Sequence, residues 1–178
     1  QDFVKQMDNG IDPLSAYDAN GNIKRMQQWG IKGGGSAKID DLVYSYYENG
    51  LSNKLSNVFD YANDSQSKLG DFKTSTLYSD KTTSSIDYTY DANGNLKRDR
   101  NKDIMDISGA DGIEYNYLNL PLNVTFRSAS GNKGNINYIY DAAGNRLLLH
   151  DKDDLRSLTG TQDFVGSAAV EIAMIADT

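Results

Sequence analysis

Between residues 85 and 150 the chain alternates apolar and polar positions in short runs, each broken by a turn. Ile86, Tyr88 and Tyr90 alternate with Asp87, Thr89 and Asp91, so in an extended segment the apolar set lies on one face. Tyrosine, isoleucine and threonine all suit a pleated, half-buried surface. Asp91-Ala92-Asn93-Gly94-Asn95 follows, and this is turn chemistry. Asp and Asn side chains bond nearby backbone, and Gly94 takes a positive φ without steric cost. A short loop with glycine in the left-handed position closes a hairpin, so the chain is expected to return through Leu96-Lys97-Arg98.

The same pattern recurs along the chain. Ile136-Asn137-Tyr138-Ile139-Tyr140 leads into Asp141-Ala142-Ala143-Gly144-Asn145, and Tyr17-Asp18-Ala19-Asn20-Gly21-Asn22 gives a third copy. Two worn copies run from Tyr44-Ser45-Tyr46 into Asn53-Lys54-Leu55 and from Tyr115-Asn116-Tyr117 into Leu120-Pro121-Leu122. Taken at Tyr17, Tyr46, Tyr90, Tyr117 and Tyr140, the spacing is 29, 44, 27 and 23 residues. A fixed turn with variable spacing predicts successive hairpins with insertions in the connecting loops, rather than a strictly periodic solenoid. A lone hairpin is marginal in water, so neighbours must stack, and stability becomes a sum over adjacent units.

The remaining segments follow by the same criteria. Residues 1–16 are turn-rich and are expected to finish a preceding hairpin, and Ile23 to Gln28 should be a return strand. Trp29 to Ala37, with Gly30, Gly33, Gly34 and Gly35, reads as a loop. Ile39 to Tyr47 reads as a strand with Leu42, Tyr44 and Tyr46 on one face, and Lys54 to Tyr61 returns. Thr74 to Lys81 is ambiguous, with a short strand as one reading. Leu120, Leu122, Val124 and Phe126 alternate as though they share a face. Residues 157–178 diverge from the rest, and helix should be scarce throughout.

Tyr-Asp-Ala-Asn-Gly-Asn followed by an apolar or basic strand resembles the YD repeat of the RHS (rearrangement hotspot) proteins. Trp29-Gly30-Ile31-Lys32-Gly33-Gly34, Ile39-Asp40-Asp41-Leu42 and Gly70-Asp71-Phe72-Lys73 resemble RHS proteins of Bacteroidetes-type bacteria. The repeat set is Tyr17, Asp18, Gly21 and Asn22; Tyr90, Asp91, Gly94 and Asn95; and Tyr140, Asp141, Gly144 and Asn145. The resemblance covers about Tyr17 to His150. It implies an all-β fold of stacked antiparallel β-hairpins forming part of a spiralling β-sheet shell, in one domain over residues 1–178. It also implies a structural role, as a wall segment of a secreted or surface-exposed protein that encapsulates a C-terminal toxin or effector. The partners would be neighbouring repeats and that cargo. The self-cleaving aspartate site of the family's core domain has no counterpart in these residues.

Composition narrows the picture. The chain has 178 residues, 12 Tyr against 1 Trp and 5 Phe, and 38% hydrophobic residues, with a mean hydropathy of −0.61. A polar, tyrosine-faced sheet accounts for these values better than an oily sandwich. A net charge of −7 argues against nucleic acid, which calls for a basic face. There is no cysteine, so disulfides and thiolate metal sites are excluded. No run of 18 apolar residues offers a membrane span, and Gln1-Asp2-Phe3-Val4-Lys5 lacks a signal-peptide apolar region. The export signal is expected upstream.

Candidate chemistry is sparse. Asp18-x-Asn20-x-Asn22 and Asp91-x-Asn93-x-Asn95 open like a calcium loop. The loop's glutamate position falls on Trp29 or Lys102, however, and glycine comes too early. Gly30 to Ser36 is glycine-rich, but Ser36 stands where a phosphate loop needs lysine. His150 is the single histidine, which leaves nucleophilic catalysis without an evident base. Asp40-Asp41 are adjacent in a strand and point to opposite faces. No cofactor is expected and no enzymatic activity is assigned. The open alternative is a carbohydrate-binding surface on which Tyr88, Tyr90, Tyr138 and Tyr140 stack on cell-surface glycans. Against it, rings that recur at one structural position suit stacking on each other. Open sheet edges are further expected to promote self-association.

Overall fold

The computed structural model describes residues 4–32, 34–62 and 71–151. Among these, regular structure consists of ten β-strands and three single-turn 3-10 segments, and every paired strand in the two larger sheets is antiparallel. The expected class, all-β and built of hairpins, is the class observed. The divergent segment 157–178 lies outside the described residues. The chain divides into two compact units. One holds the described residues to Tyr90 together with Asp99–Lys102, and the other holds Asp91–Arg98 and Asp103 onward.

The first unit is a four-stranded sheet in the order β1 (Val4–Gln6), β2 (Arg25–Lys32), β3 (Gly35–Tyr46), β4 (Leu55–Asp60). Residues 1–16 were expected to complete a preceding hairpin. Instead Val4, Lys5 and Gln6 pair with Trp29, Gln28 and Gln27. The stretch Trp29 to Ala37, expected as a loop, is mostly ladder, with Gly30 opposite Ala37 and Ile31 opposite Ser36. The glycines there serve packing as well as turning. A Cβ at Gly30 would sit 3.0 Å from the Cδ1 of Ile39, and Ile39 is 1% exposed. Glycine thus opens the space in which Ile39 reaches the core beside Leu42 and Val58.

One alternation expected from sequence is reversed here. Asp87 was placed on the polar face of a strand and Ile86 on the apolar face. Asp87 is instead fully buried and Ile86 is exposed, because β5 spans only Tyr88–Tyr90. Before it, residues 82–87 run along the outer edge of β4. The Ser56 carbonyl accepts from the Asp87 amide at 2.8 Å, and the Asn57 amide side chain donates to the carbonyls of Thr82 and Ser85. This segment covers an edge that would otherwise offer unpaired N–H and C=O groups. Thr74 to Lys81 forms turns and no strand, with the Arg100 guanidinium 3.5 Å above the Tyr78 ring.

In the second unit the sheet order is β10 (Arg146–Asp151), β9 (Gly131–Tyr140), β8 (Pro121–Ser128), β7 (Ile113–Tyr115), while β6 (Leu96–Asp99) lies where the chain passes between the units. Met105, Ile113 and Val124 are the buried apolar residues among those described in this unit. Gly112 lets two backbones meet, since a Cβ there would lie 2.5 Å from the Met105 nitrogen. The expected shared face of Leu120, Leu122, Val124 and Phe126 does not form. The ladder shifts between Glu114 and Tyr115, which pair with Asn123 and Pro121. The bulge takes Leu122 out of alternation and leaves it exposed.

The inter-hairpin seam as candidate functional site

The three strong repeats make one and the same turn. Asp91 Oδ1 accepts from the amides of Asn93 and Asn95, and its Oδ2 accepts from the Asn95 side chain at 2.9 Å. Asp18 does this with Asn20 and Asn22, and Asp141 with Ala143 and Asn145. Gly21, Gly94 and Gly144 hold φ of 82°, 89° and 83°, the region where a side chain is strained. Hydrogen bonds from the Asn95 and Asn145 side chains hold the Asp91 and Asp141 carboxyls below the ordinary aspartate range. These carboxylates are engaged by the N–H donors of their own turns.

In the worn fourth copy Asn116 takes the aspartate's place, accepting from the amides of Leu118 and Leu120. Asn119 takes the glycine's place with φ 60°. The strand-ending tyrosine of this copy is therefore Tyr115, two residues before the expected Tyr117. Tyr117 is 86% exposed in the turn.

Between consecutive hairpins one contact repeats four times. The hydroxyl of Tyr46 donates to the carbonyl of Ile23 at 2.9 Å, and Tyr90 donates to Leu55 at 3.0 Å. Tyr115 donates to Leu96 at 2.7 Å, and Tyr140 to Pro121 at 2.9 Å. Each acceptor is the first residue after the preceding turn. The carbonyl of the residue that follows accepts the next hairpin's backbone: Lys24 from Tyr44, Ser56 from Asp87 and Lys97 from Gly112. Burial raises the hydroxyl pKa of Tyr46, Tyr90 and Tyr115, which keeps them protonated as donors.

The turns are tied as well. Asn20 donates to the carbonyls of Gly50 and Leu51, and Asn22 to that of Ser52. Asn93 and Asn95 both donate to Asn119 Oδ1. Asn residues that sequence assigns to turn formation thus also bind the neighbouring turn.

Of the four tyrosines named for sugar stacking, three have their hydroxyls engaged within the fold, Tyr140 through its seam bond to Pro121. Tyr90 spends its hydroxyl on the seam and meets the edge of Tyr47 at 6.1 Å. Tyr88 accepts from Asn101 Nδ2 at 3.3 Å, and burial pushes its hydroxyl pKa up. Tyr138 and Tyr140 stack at 6.3 Å and 19°. They line a groove of about 350 Å³ together with Tyr117, Leu118 and Leu122.

Two charged clusters lie in the first unit. Asp87 accepts from the Val58 amide, Asn57 and Asn101, and pairs with Lys81 at 3.1 Å. Carboxylate oxygens of Asp40, Asp60 and Asp71 lie within 4.8 Å of one another. Such oxygens suit a hard cation, but Lys73 already supplies positive charge as the ion-pair partner of Asp71. Adjacent Asp41 faces away from that cluster, in a bidentate pair with Arg25 at 2.8 Å. No arrangement of nucleophile, base and orienting group occurs among the described residues.

In comparisons with known proteins the chain matches no family model, no curated protein and no solved structure.

Proposed function

We propose that the chain is a structural wall segment of an RHS-type shell, without catalysis of its own. In this reading it acts in a secreted or surface-exposed protein that encloses a toxin or effector. The observation that carries the reading is the seam. Four tyrosine hydroxyls reach back to the same backbone position of the preceding hairpin, so each hairpin is a template for the next. A device that depends only on backbone and one ring can be extended indefinitely, as a wall requires. The test is electron cryo-microscopy of the full product of the gene that encodes this chain. A hollow particle with these hairpins in its wall is expected. A product in which they form a solid, self-contained domain refutes the proposal.

A second reading rests on the groove beside the stacked Tyr138 and Tyr140, which offers aromatic faces to a sugar ring. Binding of defined saccharides on a glycan array, lost in Tyr138→Ala, would favour it over a purely structural wall.

A further inference from the structure

Three segments of the first unit bring one carboxylate each to the same place. Asp40 and Leu42 alternate onto one face of β3, and Asp60, the last residue of β4, pairs across from Leu42. Asp40 and Asp60 are therefore diagonal neighbours on that face. Asp71 joins them through its own neighbour, since the Phe72 amide donates to Asp40 Oδ1 at 2.7 Å. Asp60 Oδ1 accepts from the amides of Asp41 and Ala62 at 2.8 and 2.9 Å. Backbone donors thus orient two of the carboxylates, and oxygens of all three lie within 4.8 Å of one another.

Clustered acidic groups are ordinary on a surface, but this cluster is buried. Asp40 is 1% exposed, and so is the side chain of Asp71. Neither oxygen of Asp71 takes a hydrogen bond. A buried carboxylate is normally hydrogen-bonded, and one left without such bonds costs free energy. Lys73 is the ion-pair partner of Asp71, but its side chain is half exposed, and its one charge does not balance three carboxylates. Burial pushes the Asp40 pKa up, and the Asp60 charge pushes it the same way, despite the Phe72 amide, Lys73 and Lys5. The cluster is short of positive charge, and Asp71 is short of a partner.

We propose that Asp40, Asp60 and Asp71 hold a calcium ion. Two oxygens on one calcium, each about 2.3–2.6 Å from it, are at most about 5.2 Å apart, and the oxygens of this cluster meet that limit. Calcium takes about six to eight oxygens in flexible geometry, so it suits ligands gathered from three segments, with water completing the shell. Magnesium demands a near-ideal octahedron, keeps several waters and uses only one or two carboxylates. The calcium ion gives Asp71 the partner it lacks and displaces the Lys73 ammonium into solvent. It also ties β3 and β4 to the segment at Asp71–Lys73, which makes it a clasp on the first unit. The site is separate from the turns built on Asp18, Asp91 and Asp141, whose carboxylates are taken by their own amides.

The test is a titration of the whole chain with calcium chloride at constant ionic strength, with magnesium chloride in parallel, read by calorimetry and amide NMR. With a Kd of about 1 mM, at the weak end of calcium modules, about 10 mM calcium raises the folded-to-unfolded ratio roughly ten-fold. The amides of Asp41, Ala62 and Phe72, which donate to these carboxylates, should move with calcium. Asp71→Asn, which keeps the shape and removes the charge, should weaken binding roughly ten-fold or more. Lys73→Met should bind calcium several-fold more tightly, because no ammonium then competes. Circular dichroism checks that each variant is folded, and the titration of the unmodified chain decides the matter if one is not. No heat and no shift up to about 10 mM calcium overturns the proposal, as does an equal response to magnesium. Affinity unchanged in Asp71→Asn or in Lys73→Met overturns it too.

Discussion

Replacing Asp87 by alanine should destabilise the first unit more than any change on its surface. The carboxylate is fully buried. It accepts from Val58 N at 3.1 Å, Asn57 Nδ2 at 3.2 Å and Asn101 Nδ2 at 3.0 Å, and it pairs with Lys81 Nζ at 3.1 Å. The Lys81 side chain is only 7% exposed, and burial already lowers its pKa. Without Asp87 the ammonium loses its charge partner, and three donors lose an acceptor. Removing one member of a buried pair costs about 3–5 kcal/mol. For a chain of this size that is a fall in Tm of roughly 6–20 °C. The assay is thermal and urea unfolding of Asp87→Ala, Lys81→Met and the double variant Asp87→Leu, Lys81→Met. The double variant should recover part of the loss, since an apolar pair carries no unpaired charge. A loss below about 1 kcal/mol in Asp87→Ala would refute the reasoning, because the pair would then be solvated and not buried.

Gly94→Val should cost about 1 kcal/mol or more in urea unfolding, because φ is 89° there and a β-branched residue resists that region. Gly112→Ala should destabilise comparably or more, its Cβ falling 2.5 Å from the Met105 nitrogen. Carbon-detected NMR titration should place the Asp91 and Asp141 carboxyls below 3.8, the direction their hydrogen bonds impose. Their stabilising contribution is then complete above 3.8 and is lost as pH falls through the lowered values. In alkali the sign reverses. Tyr44, pushed up to about 12 by burial, contributes stability that is present below pH 10 and is lost as pH rises from there towards 12. Absorbance near 295 nm should show part of the phenol titration lagging beyond pH 10. Millimolar calcium should leave the amide resonances of residues 18–22, 91–95 and 141–145 unmoved.

The turns were legible because their chemistry resides in side chains. Aspartate, glycine and asparagine at Asp91, Gly94 and Asn95 name the geometry directly. The seam was only half legible. Its donors are tyrosines and show as a repeat, but its acceptors are backbone carbonyls, carried by residues as unlike as Ile23, Leu55, Leu96 and Pro121. A backbone acceptor leaves no mark on residue type. Asp87 was misplaced for a related reason. Alternation assumes that a strand has begun, and residues 82–87 instead lie against the edge of β4, where four partners make burial of a charge tolerable. Tyr117 misled because Tyr-x-Tyr was aligned by its second ring, whereas Asn116 shows the turn starting one residue after the first.

The polarity of the seam bears on how such a chain is made. Every seam tyrosine bonds to a carbonyl that precedes it in the chain, by 19 residues for Tyr115 and Tyr140 and by 35 for Tyr90. On a ribosome the acceptor is therefore always delivered before the donor. Each new hairpin finds a finished surface to dock on, and no hydroxyl waits for a partner still to be synthesised. Folding can then keep pace with translation, one hairpin at a time. A circular permutant opened in the middle of the series would deliver one seam tyrosine before its acceptor carbonyl, and its yield of folded chain during cell-free translation should fall below that of the unpermuted chain.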